Sequence, residues 1–178
     1  MRKTVLKPEE LARAVRNIPD FPQPGINFKD ITPVLADARL FAGAVDQLVG
    51  TFEPGGVDAV VGIDARGFIF AAAVALKLHA GFIPVRKKGK LPYQTFEQSY
   101  DLEYGTNTVA IHVDAIKPGT RVLLVDDLLA TGGTAAAAAT LLHKLGADIL
   151  EISFFIELDF LKGRDKLSGF PVRSLVVF

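Results

Sequence analysis

The sequence predicts an α/β protein built on a mainly parallel central sheet flanked by helices. Three observations carry this. Ala59–Ile63 (AVVGI) and residues 122–125 (VLLV) are short apolar runs without alternation, as suits strands buried on both faces of a parallel sheet. Each run ends in polar and small residues and leads into a helix-forming segment: Asp64-Ala65-Arg66-Gly67 before a helix to about His79, and Asp126-Asp127 before a glycine loop and an alanine-rich helix. Strand and helix patterns then alternate along the chain, which is how α/β folds read.

In order, residues 8–18 read as a short helix. Pro8 suits a first helical position, Glu9 and Glu10 favour the helix start, and Leu11, Val15 and Ile18 form an apolar stripe. Residues 19–25 are a proline-punctuated loop. Phe28 follows, and taken alone is best read as a plug of the core. Residues 37–52 place Leu40, Phe41, Ala44, Val45, Leu48, Val49 and Phe52 at helical spacing, a helix covering the sheet. Residues 81–86 are a third strand, and Pro84 within it argues for a short or edge strand. It runs into Arg86, Lys87, Lys88 and Lys90, a cation cluster that suits a solvated turn, an anion site or a mobile lid. Residues 91–100 show no clear periodicity and are expected to form a mobile lid. Extended structure resumes over 100–114, with alternation at Val109, Ile111 and Val113, and Gly146 stops the central helix. Residues 149–156 are a strand, 158–167 a short helix and 171–178 a terminal strand.

The bulk composition narrows the function. The 178 residues are about one domain's worth, and 49% apolar content is globular. Lys+Arg and Asp+Glu balance at 20 each, which argues against a nucleic-acid or membrane-surface partner. Without cysteine, disulfides and thiolate metal sites are excluded. The first residues lack a signal-peptide core and no apolar run approaches a membrane span, which fits a cytoplasmic protein.

The most informative stretch is 121–142, RVLLVDDLLATGGTAAAAATLL. A strand, an acidic pair, a small-residue loop and a helix, in that order, put a loop at the carboxyl edge of the sheet, where α/β proteins bind ligands. Gly132 and Gly133 let the backbone take positive φ and turn N–H groups inward. The helix amino end adds partial positive charge, and Thr131 and Thr134 add hydroxyl donors, so the loop can cradle a phosphate. Asp126 and Asp127 suit sugar hydroxyls, which donate to carboxylates. A ribose 5-phosphate has both ends. The loop has neither the Gly-Lys-Ser/Thr ending of a Walker loop nor dinucleotide glycine spacing. An ordinary strand end before a capped helix would also place Asp near Gly, but VDDLLATGGT is a far more specific string.

That string resembles the phosphoribosyl-diphosphate (PRPP) motif of the type I phosphoribosyltransferases. Further blocks resemble one branch, the adenine phosphoribosyltransferases: DFPQPGINFKDITPVL, GIDARGFIF, RKKGKLP, SYDLEYG and ELDFLKGRDKL, in that family's order over nearly the whole chain. The resemblance implies a type I phosphoribosyltransferase fold as a single domain over 1–178, with a core of about 34–156 and a small hood from about 1–33 and 157–178. It implies that adenine and PRPP, with Mg2+, give AMP and diphosphate in purine salvage, and that the protein is a homodimer. It assigns Ala130, Thr131, Gly132, Gly133 and Thr134 to the 5-phosphate and Asp126 and Asp127 to the ribose hydroxyls. Asp64, Ala65 and Arg66 meet the diphosphate, with a non-proline cis peptide between Asp64 and Ala65, and Arg86, Lys87 and Lys90 are matching cations. Phe28 lies against adenine, which reverses the core-plug reading; backbone near Asn27 and Lys29 reads the ring edge, and Leu158 packs on its other side. Glu103, in LEYG, is the acid–base residue facing N7. Mg2+ is expected to be held mainly by substrate oxygens and water, as is usual for this ion, and no protein ligand is assigned to it. Ala65 departs from the pattern, standing where a serine is also common. A PRPP-binding regulator would need a basic face, which the balanced charge argues against. Guanine, hypoxanthine and xanthine are the rival bases.

Overall fold

In the computed structural model, which describes residues 6–101 and 105–178, the first helix is α1 (Pro8–Ala14). It is shorter than the sequence pattern suggests. Val15 turns extended, and Arg16–Ile18 (β1) pairs antiparallel with Phe28–Asp30 (β2), Ile18 opposite Phe28. Pro19 disfavours helical backbone at Ile18, and a strand partner ten residues on takes the segment instead. Helices α2 (Thr32–Ala36) and α3 (Ala38–Val49) follow, with Val34, Ala44, Val45 and Leu48 buried. The chain forms two compact units, the first ending at Gln47 and the second beginning at Leu48.

The second unit is the α/β part. Its elements are β3 (Ala59–Ile63), α4 (Gly67–Leu78), β4 (Gly81–Lys87), β5 (Thr95–Asp101), β6 (Thr106–His112), β7 (Arg121–Leu129), α5 (Gly133–Lys144), β8 (Asp148–Glu157), 3-10 turns at Asp159–Leu161 and Gly163–Leu167, and β9 (Val172–Val177). The seven strands order as β5-β6-β4-β3-β7-β8-β9. The β4-β3-β7-β8-β9 stretch is parallel throughout, and β6 is antiparallel to both β4 and β5. The unalternating runs sit where predicted: all of β3 is buried, as are residues 122–125. On one face Val61, Ile63, Val122 and Leu124 join Ala138, Leu141 and Leu142 of α5 in a single cluster. On the other, Phe70 of α4 stacks on Phe155 of β8, centroids 5.0 Å apart. The alanines of α5 serve this packing, with Ala135, Ala137, Ala138 and Ala139 buried.

Four local readings change. The acidic pair does not follow β7 but lies within it. Pairing with β3 stops at Val125, whereas pairing with β8 continues through Asp126 to Leu129. The expected lid is half strand, since Thr95–Asp101 pairs along β6 from His112 to Thr106. The region 158–167 is two 3-10 turns rather than one helix. Pro84 sits in a strand with neighbours on both sides, yet its ring costs no ladder bond. Gly81 donates to Asp58 on the β3 side, so by alternation the Pro84 nitrogen faces away from β3, where β6 begins pairing only at Arg86. No described helix is long and apolar enough to cross a membrane.

Candidate active site

The carboxyl ends of β3 and β7 and the start of α5 converge on a cavity of about 350 Å³. Asp64, Ala65, Arg66, Lys87, Tyr100, Asn107, Asp126, Asp127 and Thr134 line it with Ile63 and Val109. Sequence reasoning foresaw seven of these residues in three separated blocks; the sheet order β4-β3-β7 brings the blocks together. The Asp64–Ala65 peptide is cis, as the resemblance implied.

Two of the site's arginines are already paired with carboxylates. Arg66 Nε lies 2.9 Å from Asp127 Oδ2, and the Asp127 side chain is only 9% exposed. Asp127 N–H donates to Asp126 Oδ1 at 2.9 Å. Burial pushes the Asp126 carboxyl well above the usual carboxylate range, and the neighbouring Asp127 charge adds to it. Burial also raises Asp127, against the pull of the Arg66 guanidinium. Arg86 donates through Nε to Asp64 Oδ2 at 3.0 Å and through a terminal nitrogen to the Lys90 carbonyl, so it braces the loop that carries Asp64. Lys87 reaches the cavity wall, while Lys90 is exposed.

Beside the cavity, a hollow of about 70 Å³ is lined by Asp126 and residues 128–135. Gly132 takes φ of +79°, which turns the chain into α5; Gly133 is the first helical residue and does not share that conformation. The first-turn amides of α5 have no acceptor within the helix, and its macrodipole makes this end positive. The hollow therefore fits a phosphate, and the adjoining carboxylates fit a diol.

Behind the hollow lie residues the sequence reading gave no role. Gly163 backs onto the loop, and its turn is fixed by Arg164, which holds buried Glu157 through two bonds of 2.7 Å. The Arg164 hydrogen bonds keep the Glu157 carboxyl below its ordinary range. The block LKGRDKL was visible in the sequence, but the need for a glycine there appears only when the two backbones meet. Tyr100 and Asn107 were likewise missed, because their place on the wall depends on the β5–β6 register.

Other expected contacts lie elsewhere. In the first unit, Phe28 is half-buried with its ring edge-on to Phe21, centroids 5.2 Å apart. Ile18, Phe21, Phe28 and Asp30 line a hollow of about 240 Å³ there. Asn27 is exposed, and Lys29 Nζ donates to Asn17 Oδ1 at 2.7 Å. Leu158, in the second unit, is half-buried and its amide donates to the Leu129 carbonyl. Glu103 lies outside the described residues.

Residues 28–168 match the phosphoribosyl transferase domain. The chain is 60% identical to an adenine phosphoribosyltransferase of Acidothermus cellulolyticus over 168 residues, 94% of this chain and 95% of that one. It superimposes on the crystal structure of the adenine phosphoribosyltransferase of Rhodothermus marinus with a TM-score of 0.91 and 50% identity, covering 96% of this chain and 98% of that one. A Saccharomyces cerevisiae adenine phosphoribosyltransferase, solved with an imino-altritol bisphosphate and adenine, matches with a TM-score of 0.89 at 44% identity, covering 94% and 97% of the two chains.

Proposed function

The chain belongs to the phosphoribosyl transferase domain family and, within it, to the adenine phosphoribosyltransferases, and we propose how its residues divide the work. The reaction is the transfer of the phosphoribosyl group of PRPP to adenine, giving AMP and diphosphate in purine salvage. The observation that carries the site reading is the junction of β7 and α5: two carboxylates directly before a helix-terminal hollow of the size of one phosphate.

In this reading Ala130–Thr134 hold the 5-phosphate, and Asp126 and Asp127 accept from the ribose hydroxyls. Arg66, Lys87 and Arg86, with the backbone of Asp64 and Ala65, receive the diphosphate; exposed Lys90 joins them at the rim. Arg66 is held on Asp127 before substrate arrives, which keeps both side chains placed. Binding then exchanges one ion pair for two substrate contacts: Asp127 turns to the diol and Arg66 to the diphosphate. Displacement at the anomeric carbon passes through an oxocarbenium-like state, and these cations stabilise charge growing on the leaving group. Mg2+, a hard cation that prefers oxygen ligands, would be carried by the diphosphate and water and withdraw charge from it. Asp127 already engages Arg66, which supports an ion brought by the substrate rather than one held by this carboxylate.

Phe28 offers adenine a half-buried aromatic face, with backbone at Asn27 and Lys29 for the ring edge. Leu158 adds an apolar contact, and Glu103 is the acid–base group, both on the strength of the resemblance. Balanced charge supports small-molecule partners rather than nucleic acid, in a cytoplasmic protein. A homodimer accords with exposed apolar side chains on α4, Ile69 and Leu76, and is checked by light scattering. The functional test is a product assay with PRPP and each of adenine, guanine, hypoxanthine and xanthine. Adenine alone should be converted at an appreciable rate; preferential conversion of an oxopurine would overturn the base assignment.

A further inference from the structure

Tyr100 stands where β5 meets the amino end of α5. Its ring lies against Gly133: a Cβ there would come within 2.9 Å of Tyr100 Cδ2. Its phenol oxygen is 2.9 Å from Thr134 Oγ1, in hydrogen-bond contact. Tyr100 and Thr134 line the large cavity together, and Thr134 also borders the hollow at the helix end. The absent side chain at Gly133 is what lets the ring reach that far.

Thr134 has one hydroxyl proton. As the bond stands, that proton points to Tyr100. A phosphate in the hollow carries only acceptors, so it needs the same proton. A phenol can resolve the conflict because it both donates and accepts. When the phosphate arrives, Tyr100 donates to Thr134 Oγ1 and Thr134 donates to the phosphate, and the contact persists with its direction reversed. Without the phenol, Thr134 Oγ1 would have no donor to satisfy it once its own proton is given to the phosphate.

We propose that Tyr100 is a positioning residue for the 5-phosphate, acting through the Thr134 hydroxyl. This rests on the reading of Ala130–Thr134 as the phosphate cradle. The contact also ties β5, three residues before Glu103, to the loop that senses the phosphate.

The test measures ribose 5-phosphate and inorganic diphosphate binding to the full chain by calorimetry, in wild type, Tyr100→Phe, Thr134→Val and the double variant. Tyr100→Phe keeps the ring and should keep the melting temperature. It is expected to weaken ribose 5-phosphate about three- to tenfold, the worth of one neutral hydrogen bond. Diphosphate binding should not change, and in the Thr134→Val background Tyr100→Phe should add nothing. Equal weakening of both ligands, or additive losses in the double variant, would overturn the proposal. A silent Tyr100→Phe beside a weakened Thr134→Val would remove Tyr100 and leave the cradle standing. Silence of both would remove the cradle as well.

Discussion

Gly163 lies directly behind Gly132. A Cβ on Gly132 would run into the Gly163 carbonyl oxygen, and a Cβ on Gly163 would run into the Ala130 carbonyl oxygen. Two backbones that close leave no side chain between the hollow at the start of α5 and the turn that supports it. The turn itself is pinned to β8 and β9, because Arg164 bonds Glu157 and the Val172 carbonyl. The loop is thus backed by a rigid wall rather than by solvent.

Gly163→Ala should therefore raise the KM for PRPP about tenfold and leave the KM for adenine nearly unchanged. The added methyl must push the phosphate loop, and overpacking of this kind costs roughly 1–3 kcal/mol. Gly132→Val should be more severe, since a β-branched residue resists positive φ as well. Calorimetric titration with PRPP is expected to show no binding by a protein that still melts cooperatively. Normal binding by Gly132→Val would exclude this loop as the cradle.

Arg66→Ala should lower both stability and PRPP use. Asp127 would keep its buried place without its cation, at a cost of roughly 1–3 kcal/mol, and the diphosphate would lose a partner. Arg66→Lys should recover more stability than affinity, because an ammonium can neutralise Asp127 but lacks the planar fork that matches diphosphate oxygens. Thermal melts and PRPP kinetics on the two variants separate these effects; unchanged kinetics in Arg66→Ala would take Arg66 out of the site.

How far the sequence could be read is clearest from particular residues. The buried strands were legible because β3 and residues 122–125 have no polar side chain to hide their pattern. The end of β7 was not, because Asp126 and Asp127 interrupt the apolar run while the backbone goes on pairing with β8. β5 was hidden in a similar way: Phe96 and Tyr100 share one face, but Gln98 stands between them, and the strand is made by its register with β6 rather than by its own composition. β1 was misread because Leu11, Val15 and Ile18 keep helical spacing although Ile18 answers to Phe28. The loop between β7 and α5 stood out as a string, whereas Tyr100 and Gly163 needed the fold to bring distant segments into contact.

The strand character of β5 changes what a deletion should do. Removing residues 88–97 takes out Thr95, Phe96 and Glu97, which pair with His112, Ile111 and Ala110. The expected outcome is loss of cooperative melting or of soluble protein, not a folded enzyme with slow turnover. A folded, slow variant would restore the view of this stretch as a detachable lid.

Glu103→Leu should cut kcat by roughly 10²–10⁴, the range for one acid–base group, with PRPP affinity little changed. As adenine attacks through N9, positive charge builds on the ring and a proton must leave. A carboxylate accepting from N7–H stabilises that charge, and a carboxylic acid could instead donate to N7. Glu103→Gln keeps one hydrogen bond of either kind and should fall between wild type and Glu103→Leu. Steady-state rates within about threefold of wild type for Glu103→Leu, under ~0.7 kcal/mol, would remove it from the chemistry.

Asp126 should show function working against stability. Its carboxyl is raised well above the ordinary range in the folded protein, chiefly by burial, with the Asp127 charge adding to it. A carboxyl raised by folding binds more protons in the native state than in the unfolded chain. Its contribution to stability is then fully present below the unfolded value of about 4 and is lost as pH rises through the folded value. Near neutral pH the free protein therefore carries a penalty for this group, which a sugar diol would relieve by donating to it. Asp126→Asn removes the charge and keeps the Oδ1 that accepts from the Asp127 amide. The variant should melt higher than wild type at pH 7 without ligand, by about 2–4 °C for each kcal/mol in a chain of this size. The difference should shrink towards pH 4, where the wild-type carboxyl is also neutral. PRPP affinity should move the other way, because an amide is a weaker acceptor for ribose hydroxyls than a carboxylate. Melting curves across pH 4–8, with and without PRPP, read both effects at once. A variant less stable than wild type at pH 7 would show that the Asp126 charge is compensated in the empty site.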